Sequence, residues 1–250
     1  TIKNVVIDGL TIERGGKAAR DSRFSNIRPG YLTIGTYMAA TDTCEMKNSV
    51  MHSSWQECIL AGIGQKNFHN NRIHATYVGL YLIGCQNADS WNNIITGSTD
   101  TYYHRGTGND AGVLIAIETG SSRTNQYNNI WNNLIAYRQE GINIGSNSKI
   151  RNINLSTLYG FLDHLIYNNT IVDCGVGINI VDSTYTASTS AVKNNIIKWY
   201  GADFYGTAFA SVNRTTFTNI DFDYNCWPSA PGGDATGAND VIDDPLLTKN

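Results

Sequence analysis

Short runs of alternating apolar and polar residues recur along the whole chain, and most of them follow a pair of asparagines. Two positions after the second asparagine of each pair comes an apolar residue. The five clearest pairs are Asn70-Asn71, Asn92-Asn93, Asn132-Asn133, Asn168-Asn169 and Asn194-Asn195. Alternation with a period of two is typical of β-strands, and asparagine favours turns over helices. The pattern therefore predicts an all-β chain built from short strands and tight turns.

Weaker copies of the pattern contain Gly9, Asn48 and Asn225, each taken as the second residue of its pair. The second residues then stand at positions 9, 48, 71, 93, 133, 169, 195 and 225. A second landmark keeps the same phase, because a glycine opens a short alternating strand at Gly79, Gly112, Gly141 and Gly177. The shortest gaps, 22 and 23 residues, predict one rung of a β-solenoid, and the longer gaps predict the same rung with an inserted loop.

Each rung is predicted to contribute three short strands whose inward side chains stack on those of the next rung. One such buried stack is predicted from Ile73, Ile95, Ile135, Ile171 and Ile197. One asparagine of each pair is expected to take a left-handed backbone conformation, which asparagine tolerates. The neighbouring amides can then hydrogen-bond along the stack. The sequence therefore predicts an Asn ladder at one turn of the rung.

The Asn pairs and glycine-led strands resemble the PbH1 repeats of right-handed parallel β-helix proteins, the broad family that includes pectate-lyase-like enzymes. The resemblance covers essentially the whole chain and implies one domain over residues 1–250, a right-handed parallel β-helix of about eight rungs. Because Thr1 begins inside a rung, we expect further N-terminal rungs and a cap in the natural protein. We also expect a secreted or cell-surface location. The specific signature runs of polygalacturonases, alginate epimerases and pectate lyases are absent from the sequence.

Composition and charge narrow the choice of partner. The chain has 29 Asn and 24 Gly, and its formal net charge is −3, which argues against a general nucleic-acid binder. No apolar run approaches the roughly 18 residues that a membrane span needs. The resemblance implies a polysaccharide as the partner. Oligomers or end-to-end assembly are further expectations for a solenoid with an uncapped end.

In pectate-lyase-like folds the substrate lies along one sheet between inserted loops, and the glycine-led strands correspond to that sheet. Residues expected to point outward from it and bind substrate are Tyr81, Asn143 and Asn179. Insertions at 13–29 and 97–110 precede strands of this sheet. The first insertion carries Arg20 and Arg23 within a basic cluster, which suits carboxylate or sulfate groups.

The second insertion combines aromatic, imidazole and guanidinium groups in Tyr102, Tyr103, His104 and Arg105. The equivalent turn of the next rung carries Tyr137, Arg138 and Glu140. Tyrosine rings stack on pyranose faces, while histidine and arginine handle protons and charge. We therefore expect the two turns to share a saccharide site. The alternative is that these are ordinary polar residues on the surface.

Three hypotheses for function follow. The first is a polysaccharide lyase acting by β-elimination on a uronate polymer, in which Arg105 or Arg138 neutralises the carboxylate, His104 is the base and Tyr103 is the acid. The second is a glycoside hydrolase using Glu118 and Glu140, which would release reducing ends without an unsaturated product. The third is a non-catalytic adhesin, spike or surface-fibre segment, which would form filaments. No cofactor is certain; Asp221 and Asp223 alternate on one strand and could hold Ca²⁺, although two carboxylates are few for such a site.

Overall fold

A computed structural model describes residues 4–12, 32–34, 43–53, 58–62, 64–75, 78–97, 111–116, 125–144, 161–180, 190–198, 207–211, 220–231 and 235–247. Within these ranges the chain forms 26 strands, numbered in chain order, and no helix. Accordingly, none of the described residues belongs to a helix that could cross a membrane. The prediction of an all-β chain is confirmed for this part of the protein.

The strands fall into three main sheets and one small one. The first sheet contains β1 (Val5–Asp8), β4 (Thr43–Lys47), β7 (Gln65–His69), β10 (Ala88–Trp91), β14 (Asn129–Trp131), β18 (Leu165–Tyr167), β21 (Ser190–Lys193) and β24 (Ile220–Asp223). The second contains β2 (Thr11–Ile12), β5 (Val50–Ser53), β8 (Arg72–Ala75), β11 (Ile94–Thr96), β15 (Leu134–Ala136), β19 (Thr170–Val172), β22 (Ile196–Lys198), β25 (Cys226–Trp227) and β26 (Val241–Ile242). The third contains β3 (Leu32–Ile34), β6 (Ile59–Gly62), β9 (Val78–Ile83), β12 (Ala111–Ala116), β16 (Glu140–Ile144), β20 (Val176–Ile180) and β23 (Thr207–Ser211). A two-stranded sheet pairs β13 (Asn125–Gln126) with β17 (Phe161–Leu162).

The chain visits the three sheets in turn and returns to the first sheet one strand further along. Every strand pair among the described residues is parallel. Parallel strands need a crossover between them, and here the other two sheets supply it. The architecture is that of a parallel β-solenoid, as a parallel β-helix requires.

The predicted isoleucine stack lies inside the solenoid. Ile73, Ile95, Ile135, Ile171 and Ile197 are register partners on successive strands of the second sheet, and each is at most 1% exposed. They belong to one core cluster that also takes inward residues from the other two sheets. Burying such side chains is the main favourable contribution to folding.

The Asn ladder is also confirmed, and the two residues of each pair have different roles. The first asparagine has a left-handed backbone, with φ between 53° and 57° in all five pairs. The second is buried, and its backbone and side-chain N–H groups donate to the carboxamide oxygen one rung on. Asn71 donates in this way to Asn93 Oδ1 with both distances 3.0 Å, and Asn93 does the same to Asn133 Oδ1. This accounts for the recurrence of asparagine at both positions.

The predicted alignment of the first two repeats was wrong by one residue. Gly9 and Asn48 occupy the left-handed position, with φ of 69° and 51°, so the ladder residues are Leu10 and Ser49. The backbone N–H of Ser49 donates to Asn71 Oδ1 at 3.0 Å, across a separation of 22 residues. The rung of 23 residues is therefore one of 22. At the other end, Asp240 Oδ1 accepts from the backbone N–H of Asn225 at 2.7 Å and continues the ladder.

The glycines that open the strands of the third sheet lie where a side chain would collide with the isoleucine stack. A Cβ on Gly112 would lie 2.4 Å from Ile135 Cγ2, and one on Gly141 would lie 2.6 Å from Ile171 Cγ2. The same Cβ on Gly141 would lie 2.5 Å from the carbonyl oxygen of Gly177. The glycine landmark in the sequence therefore has its own cause, the close approach of the second and third sheets.

Candidate functional site

The outer face of the third sheet carries three of the described residues for which substrate contact was predicted. Tyr81, Asn143 and Asn179 alternate with core residues and so point away from the core, as expected. They lie in one row, through the register pairs Tyr81–Leu114, Leu114–Asn143 and Asn143–Asn179. However, they are only 6%, 1% and 5% exposed. Both faces of this part of the sheet are buried, and the substrate-binding role of these residues stays a prediction.

This outer face is apolar at one end and polar at the other. The apolar end is a cluster of Val78, Tyr81, Ile83, Ala111 and Leu114 on β9 and β12. The polar end lies on β16 and β20. There the carboxylate of Glu140 accepts hydrogen bonds from Nδ2 of Asn143 and, at 2.8 Å, from Nδ2 of Asn179.

The local backbone explains how Glu140 and Asn143 meet although they are three residues apart. Gly141 and Ile142 both face the core, so the residues on either side of them share the outer face. Glu140 is 9% exposed, and its carboxylate is held by donors from two adjacent strands. The carboxamide oxygens of Asn143 and Asn179 are buried with no hydrogen-bond partner in the described part of the chain. The cluster thus fixes one carboxylate and leaves two acceptors for a further polar group.

Arg138 lies in the turn immediately before β16 and is fully buried. Its Nη2 donates to the carbonyl oxygen of Ala111 at 3.3 Å, and Ala111 is the register partner of Glu140. A Cβ on Gly97 would lie 2.7 Å from Arg138 Nη1, so this glycine leaves space for the guanidinium. The neighbouring Tyr137 has a φ of 59°. The structure thus places Arg138 and Glu140 near the same end of the third sheet.

The other predicted site residues lie outside the described residues, and their roles stay predictions. They are Arg20, Arg23, Tyr102, Tyr103, His104, Arg105 and Glu118.

A pocket of about 310 Å³ on the outer face of the second sheet was not predicted. It is lined by His52, Arg72, Ile73, His74, Ile94 and Thr96. The rings of His52 and His74 lie 5.5 Å apart, and His74 Nδ1 lies 3.0 Å from the Thr96 hydroxyl. Burial, with smaller effects from His52 and Arg138, lowers the pKa of His74. The spacing of 22 residues between the two histidines, equal to one rung, was a usable signal in the sequence.

The outer face of the first sheet carries a ladder of four rings, His69, Trp91, Trp131 and Tyr167. Successive ring centroids lie 4.2, 5.0 and 5.7 Å apart, and the ring planes differ by at most 10°. Each ring directly precedes an Asn pair, so the sequence contains a regular signal for this ladder. His69 Nε2 also lies 2.7 Å from Glu45 Oε1.

Metal ligands and disulfides are few in the part of the chain that the structure describes. No group of three or more His, Cys, Asp or Glu side chains there could hold a metal ion. Of the two candidate Ca²⁺ ligands, Asp221 pairs with Lys193, and Asp223 accepts from the backbone N–H groups of Tyr224 and Asn239 at 3.1 and 2.9 Å. The five cysteines, all in described ranges, form no disulfide.

Comparison with protein-family models, with curated proteins and with solved structures found no match.

Proposed function

We propose that the protein is a secreted, right-handed parallel β-helix of the pectate-lyase-like type that cleaves a uronate-containing polysaccharide by β-elimination. The observation that carries the proposal is the buried cluster of Glu140, Asn143 and Asn179 on the outer face of the third sheet. The resemblance of the repeats assigns substrate to this same sheet. About eight rungs would give a linear polymer several successive subsites along the stack.

The cost of burying this cluster supports a functional role. A carboxylate and two carboxamides cost free energy when removed from water unless every polar atom is satisfied. Neighbouring positions of the same face, Tyr81, Ile83 and Leu114, form an apolar cluster. Apolar side chains at the polar end would therefore suit the fold at least as well. The carboxamide oxygens of Asn143 and Asn179 have no hydrogen-bond partner among the described residues, so those residues alone do not satisfy the cluster.

The chemistry of β-elimination matches the charges at this end of the sheet. A base removes the C5 proton, the electron pair forms the C4–C5 double bond, the C4–O bond breaks, and the leaving oxygen takes a proton from an acid. Negative charge grows on the uronate carboxylate during proton removal, and a guanidinium stabilises it. The candidates for this group are Arg105 and Arg138, of which Arg138 is buried and donates to the carbonyl oxygen of Ala111. We assign the base to His104 and the acid to Tyr103, because the segment 98–110 leads directly into β12 at Ala111, whose carbonyl binds Arg138.

The test is an assay of the chain on a panel of uronate polymers, following the ultraviolet absorbance of the unsaturated product. We expect His104→Ala to lower the rate by about 100-fold or more and Glu140→Gln by about tenfold or more. Glu45→Gln is the matched control, since Glu45 lies on the first sheet and contacts His69 and Lys47. Circular dichroism checks that each variant is folded. No absorbance on any polymer would refute the proposal.

A hydrolase is the second candidate, because Glu140 is a carboxylate fixed in one orientation on this face. A glycosidase needs a second carboxyl group at a set distance, for which Glu118 is the predicted residue. New reducing ends without absorbance, abolished by Glu140→Gln, would identify this reaction instead of β-elimination.

A further inference from the structure

Charge is divided unequally between the first and second sheets. The strands of the first sheet contain five acidic residues, Asp8, Glu45, Asp89, Asp221 and Asp223. The nine described strands of the second sheet contain none. Their titratable and cationic residues, cysteine apart, are His52, Arg72, His74 and Lys198. The second sheet therefore presents an outer face that suits a negatively charged partner.

The pocket on that face combines positive charge with an apolar surface. Arg72 is exposed and takes part in none of the ion pairs found among the described residues. Its register partner on the next strand is Ile94, followed by Leu134, and both are 38% exposed. A guanidinium with no carboxylate partner in the described ranges, next to accessible apolar side chains, suits a ligand that has an anionic group and an apolar body.

The imidazoles complete the polar side of the pocket. His52 is exposed, and His74 is half-buried with its Nδ1 next to the Thr96 hydroxyl. The charged and titratable groups near His74 are His52 and Arg138, which act on its pKa, and Arg72, which lines the same pocket; no strand of this sheet carries an acid. Burial, with smaller effects from His52 and Arg138, lowers the pKa of His74, and an anion in the pocket would raise it again.

We infer that this pocket binds a small organic carboxylate with an apolar body. Arg72 forms a paired hydrogen bond with the carboxylate, His52 and His74 donate to it, and the body of the ligand packs on Ile94. The site lies on the second sheet and Glu140 on the third, and the inference does not rest on the proposed lyase activity.

The test is a titration of the protein with benzoate, monitored by the ring C–H NMR resonances of His52 and His74 and by calorimetry. His52→Gln and His74→Gln assign the two resonances. Benzoate is expected to shift both resonances and to raise the pKa of His74. Arg72→Gln is expected to weaken binding by about tenfold or more, since it removes a charged hydrogen bond. Lys193→Gln, which removes a surface cation from the first sheet, is the matched control and leaves binding unchanged.

Two further titrations separate the possible ligand chemistries. Neutral benzamide is expected to bind at least tenfold more weakly than benzoate, and inorganic phosphate is expected not to compete. Equal binding of benzamide would show that the charge of Arg72 is irrelevant. If phosphate competed with an affinity equal to that of benzoate, the pocket would be a general oxyanion site and not a site for organic carboxylates. Unshifted histidine resonances, or equal losses in Arg72→Gln and Lys193→Gln, would refute the inference.

Discussion

Replacement of Asn169 by alanine tests whether the buried ladder holds the rungs together. Asn169 Nδ2 donates to the carbonyl oxygens of Ile130 and Tyr167 at 2.8 and 3.2 Å and to Asn195 Oδ1 at 3.0 Å. Its Oδ1 accepts from the backbone and side-chain N–H groups of Asn133, both at 3.1 Å. One carboxamide therefore joins three successive rungs.

The expected loss follows from the groups left behind in Asn169→Ala. The backbone N–H of Asn133 and the carbonyl of Ile130 lose this partner within a buried turn, and each such group costs about 1–3 kcal/mol. The carboxamide of Asn133 loses its acceptor as well. We expect the free energy of unfolding to fall by about 3–5 kcal/mol, a large part of the stability of a typical domain.

Asn168 offers matched controls in the same pair. Its backbone φ is 57°, and its side chain is exposed, so it contributes to stability through its backbone conformation and not through buried side-chain contacts. Asn168→Gly should be within about 0.5 kcal/mol of the wild type, because glycine accepts this conformation freely. Asn168→Ala should cost about 1–2 kcal/mol for the strained backbone.

Urea unfolding followed by circular dichroism measures all three variants. We expect the order Asn168→Gly, Asn168→Ala, Asn169→Ala from most to least stable. An Asn169→Ala protein as stable as Asn168→Gly would refute it, because the ladder would then contribute no more than the turn conformation.

Two further predictions concern packing and pH. Gly141→Ala should lower the free energy of unfolding in urea by about 2 kcal/mol or more, since its Cβ would lie 2.5 Å from a backbone oxygen of Gly177. The control is the exposed Gly9→Ala, whose Cβ has nothing within 4 Å. It should lose only the free energy needed to place alanine in a left-handed backbone conformation. Burial lowers the pKa of His164 to about 4, and its Nδ1 accepts from the backbone N–H of Asn128. In the unfolded chain the histidine pKa is about 6.5, so the unfolded state binds the proton at a higher pH than the folded state does. The free energy of unfolding therefore falls as pH drops from about 6.5 to about 4, by about 3 kcal/mol in all. Urea midpoints at several pH values should show a smaller acid loss in His164→Asn than in the wild type, and equal losses would contradict the assignment.

The sequence predicts the solenoid well because its repeat reflects contacts that every rung must make. A left-handed residue, a ladder carboxamide and an inward isoleucine follow one another within four positions, as in Asn92 to Ile95. The two misaligned copies of the repeat show where residue type fails to identify the ladder position. At Asn48 the only asparagine holds the left-handed position and Ser49 holds the ladder position, so residue type alone points to the wrong residue.

The outer faces are harder to predict because their rows depend on register across long separations. Trp91 and Trp131 stack although 40 residues separate them, and the inserted segment hides the relation in the sequence. His52 and His74 are one bare rung apart, and their pocket could have been found by applying the repeat to outward positions. The contact between Glu140 and Asn143 was harder to predict. It requires two consecutive inward residues, Gly141 and Ile142, within a strand that otherwise alternates.

Within a rung, the inward and turn positions determine the fold, and the outward positions are free to form binding sites. Inward and turn positions must be similar from rung to rung, since each contacts its own equivalent above and below. Outward positions meet no such requirement, so the strands of the first sheet can carry five acidic residues and those of the second sheet none, while the net charge of the chain stays at −3. The net charge therefore describes neither face. Ligand preference should be sought face by face, by substitutions such as Arg72→Gln and Glu140→Gln that change one face and leave the ladder intact.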